Sequence, residues 1–286
     1  MALSGSRRKP RSQPDAPHRH PGAQAVPPVP PHRLRQPPGP LLMMLEGRAP
    51  WEWAALHMAR PWLQQMPAGD GHPVVVLPGL AANDLTTLPL RRFLVQRGYV
   101  PYPWAQGFNF GPRSGVLTKC LQQVRAVADA HGRKVSLVGW SLGGLFAREL
   151  AKEVPELVRC VITLGTPFTG HPEATNAWRL FELVSGQSVH DEETLAGIRR
   201  PPPLPTTSIY SRTDGVVAWH CSLNDPAPLA ENIEVHASHM GMGMNPLALY
   251  AVADRLAQDP DHWQPFDLRG TRRWLYRLTH PAPQEG

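Results

Sequence analysis

The sequence predicts an α/β fold, a mainly parallel central sheet flanked by helices and carrying a short helical insertion. Three observations predict it. Short β-branched apolar runs, such as Val74-Val75-Val76-Leu77 and Val158-Arg159-Cys160-Val161-Ile162-Thr163-Leu164, lack the polar alternation of a half-exposed strand and read as buried strands. Segments with apolar residues at helical spacing alternate with them, and no hairpin signal joins consecutive strands, so the connections are βαβ crossovers. Third, Gly139-Trp140-Ser141-Leu142-Gly143 lies between the run Lys134-Val135-Ser136-Leu137-Val138 and a helical pattern of Leu142, Leu145, Phe146 and Leu150 that Val154-Pro155 ends. A strand that turns sharply into a helix through a serine needs small neighbours, because a side chain on either side would collide across the bend. The serine itself is then held in a strained conformation with Oγ pointing out of the sheet.

The elements follow in order. Residues 1–40 are dense in proline and poor in large apolar side chains, and are expected to form a disordered basic tail. A chain beginning at Met43 is accordingly expected to keep both stability and activity. The main domain is read as 41–260. Leu41 to Met66, broken at Pro50 and Pro61, reads as one or two short helices packing Trp51, Trp53 and Leu56 on the domain. His72 to Leu80 is a buried strand ending in Pro78-Gly79. Asp84 is placed to cap the next helix, which carries Leu85, Leu88, Phe93 and Leu94 before Gly98 ends it. Tyr99 to Pro103 resembles a short outer strand, and Gly107 to Pro112 is a glycine-rich loop. Val116 to Ala130 is an amphipathic helix, with Val116, Leu121, Val124 and Val127 along one side. After the serine turn and its helix comes the strand Val158–Gly165.

The rhythm then breaks at about 166–205, the helical insertion, which carries Trp178, Leu180, Phe181 and Leu183 and a second helix near Asp191 to Ile198. Thr207 to Ser211 and Ile233 to Val235 resume the strands, and Pro246 to Ala257 is the last helix. Residues 261–286 read as a C-terminal extension lying on the domain surface, its aromatic residues set between arginines.

At 286 residues the chain suits one large domain. Its formal charge of +6 hints at nucleic acid or a membrane, but up to Pro40 seven Arg and Lys face the single acid Asp15, so the remainder is neutral. No nucleic-acid partner is expected. Three widely spaced cysteines without a C-x-x-C pair argue against a disulfide framework and fit a reducing, cytoplasmic setting. No run approaches the roughly 18–20 apolar residues that cross a bilayer. No apolar stretch follows Ser6-Arg7-Arg8-Lys9, so no export signal is read. The histidines show no metal-ligand spacing, and neither a metal nor a cofactor is expected.

A serine hydroxyl is a weak nucleophile and needs a histidine base, which in turn needs an acid to orient it. On such a sheet the partners follow in the order serine, acid, histidine, each beyond a strand end. Asp214 stands directly after the strand ending at Ser211. Its position and strand context favour it as the acid over the plainer alternative, a turn aspartate bracing the Asp214-Gly215 bend, and Asp225 is the reserve acid. Beyond Val235 two histidines compete. His236 sits at the strand end, where burial and a cost in stability are expected, whereas His239 lies among glycines and can fold back over Ser141. His220 reads as support for the acid loop or as an exposed side chain. The oxyanion formed by attack needs N–H donors, for which the backbone of Leu142 and of Leu80 is placed.

Together, Val76-Leu77-Pro78-Gly79-Leu80, Gly139 to Gly144, Leu164-Gly165-Thr166-Pro167-Phe168, Thr213-Asp214-Gly215-Val216-Val217 and Ser238-His239-Met240-Gly241 resemble a bacterial α/β-hydrolase of the lipase/esterase type, over about Gly71 to Ala257. The resemblance implies an α/β-hydrolase fold with a cap formed by the insertion. It also implies hydrolysis of a small-molecule carboxylic ester through an acyl-enzyme, with Ser141, Asp214 and His239 as the triad. The apolar cap residues Trp178 and Phe181 point to a lipid-like acyl group and to peripheral contact with lipid. Acyl transfer to another alcohol shares the same intermediate, and a non-catalytic binding module is the alternative of a different class. One departure stands out: the full family fold opens with an antiparallel strand pair, where this chain has the helical stretch Leu41 to Met66.

Overall fold

A computed structural model describes residues 24–27, 30, 33, 35–176 and 192–281. Its sheet is laid down by the β-branched runs. The strands are β1 (Gln24–Val26), β2 (Pro73–Leu77), β3 (Val100–Tyr102), β4 (Val135–Trp140), β5 (Val158–Leu164), β6 (Thr206–Tyr210), β7 (Ala230–Glu234) and β8 (Arg277–Pro281). They lie in the order β1-β8-β7-β6-β5-β4-β2-β3. Every neighbouring pair is parallel except β7 and β8. The described helices are α1 (Pro40–Leu45), α2 (Ala49–Met58), α3 (Arg60–Leu63), α4 (Leu88–Gln96), α5 (Val116–His131), α6 (Leu142–Glu153), α7 (Glu192–Arg199), α8 (Pro246–Leu256) and α9 (Arg272–Leu275). Parallel neighbours need crossovers, and α4, α6 and α7 lie on those from β2 to β3, β4 to β5 and β5 to β6.

Alternate residues of a strand face opposite layers, and β2 divides accordingly. Val74 and Val76 join Phe93 and Leu94 of α4 and Leu249, Val252 and Leu256 of α8 in one core. Val75 and Leu77 join Val124 of α5 and Phe146 and Leu150 of α6 in the other. Both faces of the sheet are therefore dry, and the polar ends of the strands are where side chains reach solvent.

Four local expectations change. Within 1–40, Gln24–Val26 is an edge strand, because Val26 finds an apolar slot against Tyr210 and Leu223. Beyond residue 260, Phe266, Tyr276 and Leu278 are buried in the first core and β8 completes the sheet, so this stretch is part of the domain rather than an extension on its surface. Asp84 caps no helix; its carboxylate accepts the N–H groups of Trp104 and Ala105 at 2.8 and 3.0 Å and ties two loops together. Trp51 and Trp53 stand in solvent, while Leu56, Ala59, Trp62, Leu63 and Met66 make the apolar contact instead. The helical reading of Leu41 to Met66 agrees with α1, α2 and α3. Trp178 and Phe181 lie outside the described residues.

Candidate active site

β4 delivers Ser141 to the C-terminal edge of the sheet, where α6 begins. The serine has φ 52° and ψ −121°, a conformation that costs a residue with a Cβ about 1–3 kcal/mol. Its surroundings enforce it. The Ser141 N–H is held by the Leu164 carbonyl of β5 at 2.8 Å, and its own carbonyl accepts Gly144 N–H and Thr166 Oγ1, each at 2.9 Å. A Cβ on Gly139 would overlap the backbone of Gly143, and one on Gly143 would overlap the Leu77 carbonyl, so the bend closes only with glycine at both positions.

Asp214 follows β6 and His239 follows β7. Each oxygen of the aspartate has its own task. Oδ1 accepts the N–H groups of Val216 and Val217 at 2.8 and 2.7 Å, which is the turn-bracing reading, while Oδ2 meets His239 Nδ1 at 2.7 Å. The turn thus orients the carboxylate that orients the ring. Both residues are buried. Burial opposes an imidazolium, but the charge and hydrogen bond of Asp214 outweigh it, with Glu46 adding to them, and the His239 pKa rises above its ordinary value. With Nδ1 donating to the carboxylate, Nε2 becomes the basic nitrogen.

The serine and the pair meet across β5. Leu164 holds the Ser141 N–H, and the next residue, Gly165, lies so close to the pair that a Cβ on it would stand 3.1 Å from both Asp214 Oδ2 and His239 Nδ1. Trp140, just before the serine, donates its ring N–H to the His239 carbonyl at 3.0 Å. Among the described residues no hydrogen bond joins Ser141 Oγ to His239. Such bonds are commonly loose before substrate arrives.

Facing Ser141 is the loop after β2. A Cβ on Gly79 would lie 3.3 Å from Ser141 Cβ, which sets Gly79-Leu80 beside the nucleophile. Among the described residues no acceptor takes the N–H of Leu80 or of Leu142. Asn109, fully buried, holds this loop: its Nδ2 donates to the Pro78 carbonyl at 2.8 Å, and its backbone exchanges hydrogen bonds with Ala81 and Ala82 at 2.8 Å each.

The other candidates separate from the site. Asp225 is bound to Arg199 through two hydrogen bonds of 2.7 and 2.9 Å. His236 is exposed, contrary to the burial expected of a strand-end histidine, because its side chain alternates away from the buried Val235 and Ala237; its carbonyl is taken by Asn245 Nδ2 at 2.9 Å. His220 is half-buried, with its ring edge-on to Trp219. Among the described residues no three His, Cys, Asp or Glu side chains cluster in a way that could hold a metal ion.

Sequence reading missed Asn109, Glu46 and Glu52. Glu46 accepts the N–H groups of Gly215, His239 and Met240, and Glu52 binds Ser238. The available signal was the pair of acids in a helical stretch otherwise rich in Leu, Met, Ala and Trp.

A family model described as "Alpha/beta hydrolase family" matches residues 74–285. Among solved structures, lipase B of Aspergillus fumigatus is similar over 90% of this chain, with 18% identity and a TM-score of 0.52, and the chain spans 65% of that lipase. The mature lipase BlEst2 of Bacillus licheniformis is similar over 68% of this chain and 95% of its own length, with 16% identity and a TM-score of 0.53. A structure of the metagenome-derived lipolytic enzymes LipS and LipT matches 67% of this chain and 95% of its own length at 12% identity, with a TM-score of 0.51. At these identities the likeness is one of fold.

Proposed function

The chain belongs to the alpha/beta hydrolase family, and from that premise we propose that it hydrolyses a carboxylic ester through an acyl-enzyme formed on Ser141. His239 Nε2 takes the proton from Ser141 Oγ as the oxygen attacks the ester carbonyl. Asp214 keeps the ring in the tautomer this requires and stabilises the imidazolium that results. The oxyanion is received by the N–H groups of Leu80 and Leu142, the latter at the positive end of α6. His239 then returns the proton to the departing alcohol, and water repeats the sequence to release the acid.

The observation that carries this reading is a serine in strained backbone at the head of a helix, one strand away from a buried aspartate–histidine pair. An acyl group of lipid character is supported by Leu41, Met44, Trp51 and Met58, which stand in solvent on α1 and α2, the helices that meet the Gly215 and Ser238 loops through the Leu42 backbone and Glu52. Three free buried cysteines accord with a cytoplasmic setting.

The test is a fluorophosphonate probe together with p-nitrophenyl esters of graded chain length. Ser141→Ala is expected to abolish labelling and to lower kcat by about 10³–10⁶, leaving only oxyanion-hole catalysis. Activity within about tenfold of wild type, a loss of only about 1.4 kcal/mol, would remove Ser141 from the mechanism.

A further inference from the structure

Two carboxylates from the helical stretch between β1 and β2 reach the loops that carry Asp214 and His239. Glu46, in the single turn between α1 and α2, accepts Gly215 N–H at 2.7 Å and His239 N–H at 2.9 Å on Oε1, and Met240 N–H at 2.8 Å on Oε2. One side chain thus grips the acid loop and the base loop together. Glu52 of α2 takes the Ser238 N–H and hydroxyl, each at 2.7 Å, and Ser238 Oγ accepts Gly241 N–H at 2.9 Å. Between them Arg48 donates to the Thr213 carbonyl and hydroxyl at 2.9 and 2.8 Å and stands 3.5 Å from Glu52.

The loops are shaped to receive this strap. A Cβ on Gly215 would overlap the Leu42 carbonyl and come within 2.9 Å of Met43 Cα. A Cβ on Gly241 would overlap the Glu52 carboxylate and approach Ser238 Oγ to 2.7 Å. Neither glycine has a positive φ, so close approach, rather than an unusual backbone, accounts for the missing side chains. Two glycines on loops from different strands are bare where the same helical segment lies against them.

We propose that Glu46 is a positioning residue for the reaction: it fixes the acid–base pair by holding both loops on one carboxylate and sets negative charge beside His239. This rests on the assignment of Ser141, Asp214 and His239 made above. Among the described residues, the charged groups facing His239 are Asp214 from the β6 loop and Glu46 from the strap, with Glu52 and Arg48 behind Ser238 and Thr213. From β4 and the turn after it come the neutral Trp140 and Ser141. Burial disfavours the charged ring, and Asp214, followed by Glu46, reverses the balance. A stronger base that is kept in register is what proton removal from serine requires.

Glu46→Gln in the full chain preserves the volume and one acceptor while removing the charge. The readouts are the His239 ring titration by NMR and the pH dependence of kcat and KM on a p-nitrophenyl ester. The titration midpoint is expected to fall by about half a unit to one unit. The acid limb of kcat/KM should move with it, kcat should drop about 3–30-fold, and KM should hold. Glu52→Gln loosens the strap without removing the charge next to His239, and should lower the melting temperature while leaving the titration in place.

Equal shifts in the two variants would assign the effect to loosening alone and overturn the proposal. So would an unmoved midpoint and intact kcat in folded Glu46→Gln, with the hydrolase reading untouched. If Glu46→Gln fails to fold, Glu46→Ala, which leaves room for water at the three N–H groups, is read in the same way. If the wild-type protein neither turns over esters nor reacts with fluorophosphonate, yet the His239 midpoint falls in Glu46→Gln and not in Glu52→Gln, the hydrolase reading is overturned and the hold of Glu46 on His239 upheld.

Discussion

His239 sits between two opposing pressures, burial against charge and the carboxylate of Asp214 drawing charge in, and the second prevails. The sign of the pH effect follows. The ring must be neutral to accept the serine proton, and its pKa is raised, so kcat/KM is expected to fall as pH drops through a midpoint above the ordinary histidine value. A profile from about pH 5 to 9 measures it, and a midpoint below that value would contradict the arrangement. His239→Ala should bring kcat down to the level of Ser141→Ala, and the double variant should be scarcely worse than either, because such residues act as a unit. His236→Ala should leave both kcat and the melting temperature near wild type, since the side chain is exposed. That revises the stability cost expected for a strand-end histidine.

Among the elements, β7 shows what apolar patterning reads and what it does not. All five of its residues are buried, yet three are polar, Glu231, Asn232 and Glu234. Glu231 meets Arg255 of α8 at 2.9 Å and accepts Thr207 Oγ1 at 2.9 Å, while the Asn232 side chain accepts the Asn224 N–H at 2.7 Å and donates to the Asn224 carbonyl at 3.1 Å. A buried ion pair broken on one side leaves an uncompensated charge. Glu231→Ala is therefore expected to cost about 3–5 kcal/mol, whereas Arg199→Ala, which breaks a partly exposed pair with Asp225, should cost under about 1 kcal/mol. Urea denaturation of both variants compares them directly. The same chemistry explains the legibility of the fold. β2, β4 and β5 were readable because both faces are apolar, and Ser141, Asp214 and His239 were nameable because each follows a strand that could be seen. Only the last few residues of β7 were readable, and β1 not at all, being three residues in a proline-rich stretch. Glu46 and Glu52 bind backbone N–H groups 169 to 194 residues away, and a carboxylate reaching that far leaves no local period in the sequence.

At the scale of the molecule, the first and last described strands adjoin at one sheet edge, and the strap crosses the strand ends near the site. The N-terminal region therefore divides into two parts with different duties. A chain beginning at Pro40 loses β1 and the buried Val26 but keeps Glu46. It should be less stable by about 1.5–3 kcal/mol and still turn over ester at nearly the wild-type rate. A chain beginning at Ala59 loses Glu46, Arg48 and Glu52 and should lose more turnover than Glu46→Gln. Denaturant midpoints and kcat on the two truncated chains distinguish the parts, and equal turnover would deny the strap its role. The expectation that a chain starting at Met43 loses nothing is corrected on the stability side, because β1 is part of the sheet.

The strap also carries a consequence in time. Its residues leave the ribosome early, but the loops they grip are made only after another 150 residues or so, and long loops close slowly. The sheet from β2 to β6 can assemble while α1 and α2 still wait for partners. The arrangement proposed for Ser141, Asp214 and His239 is then completed late, when helices made before β2 settle on loops made after β6 and β7. For the nucleophile proposed at Ser141, an ordered base thereby waits until the loops after β6 and β7 have been made.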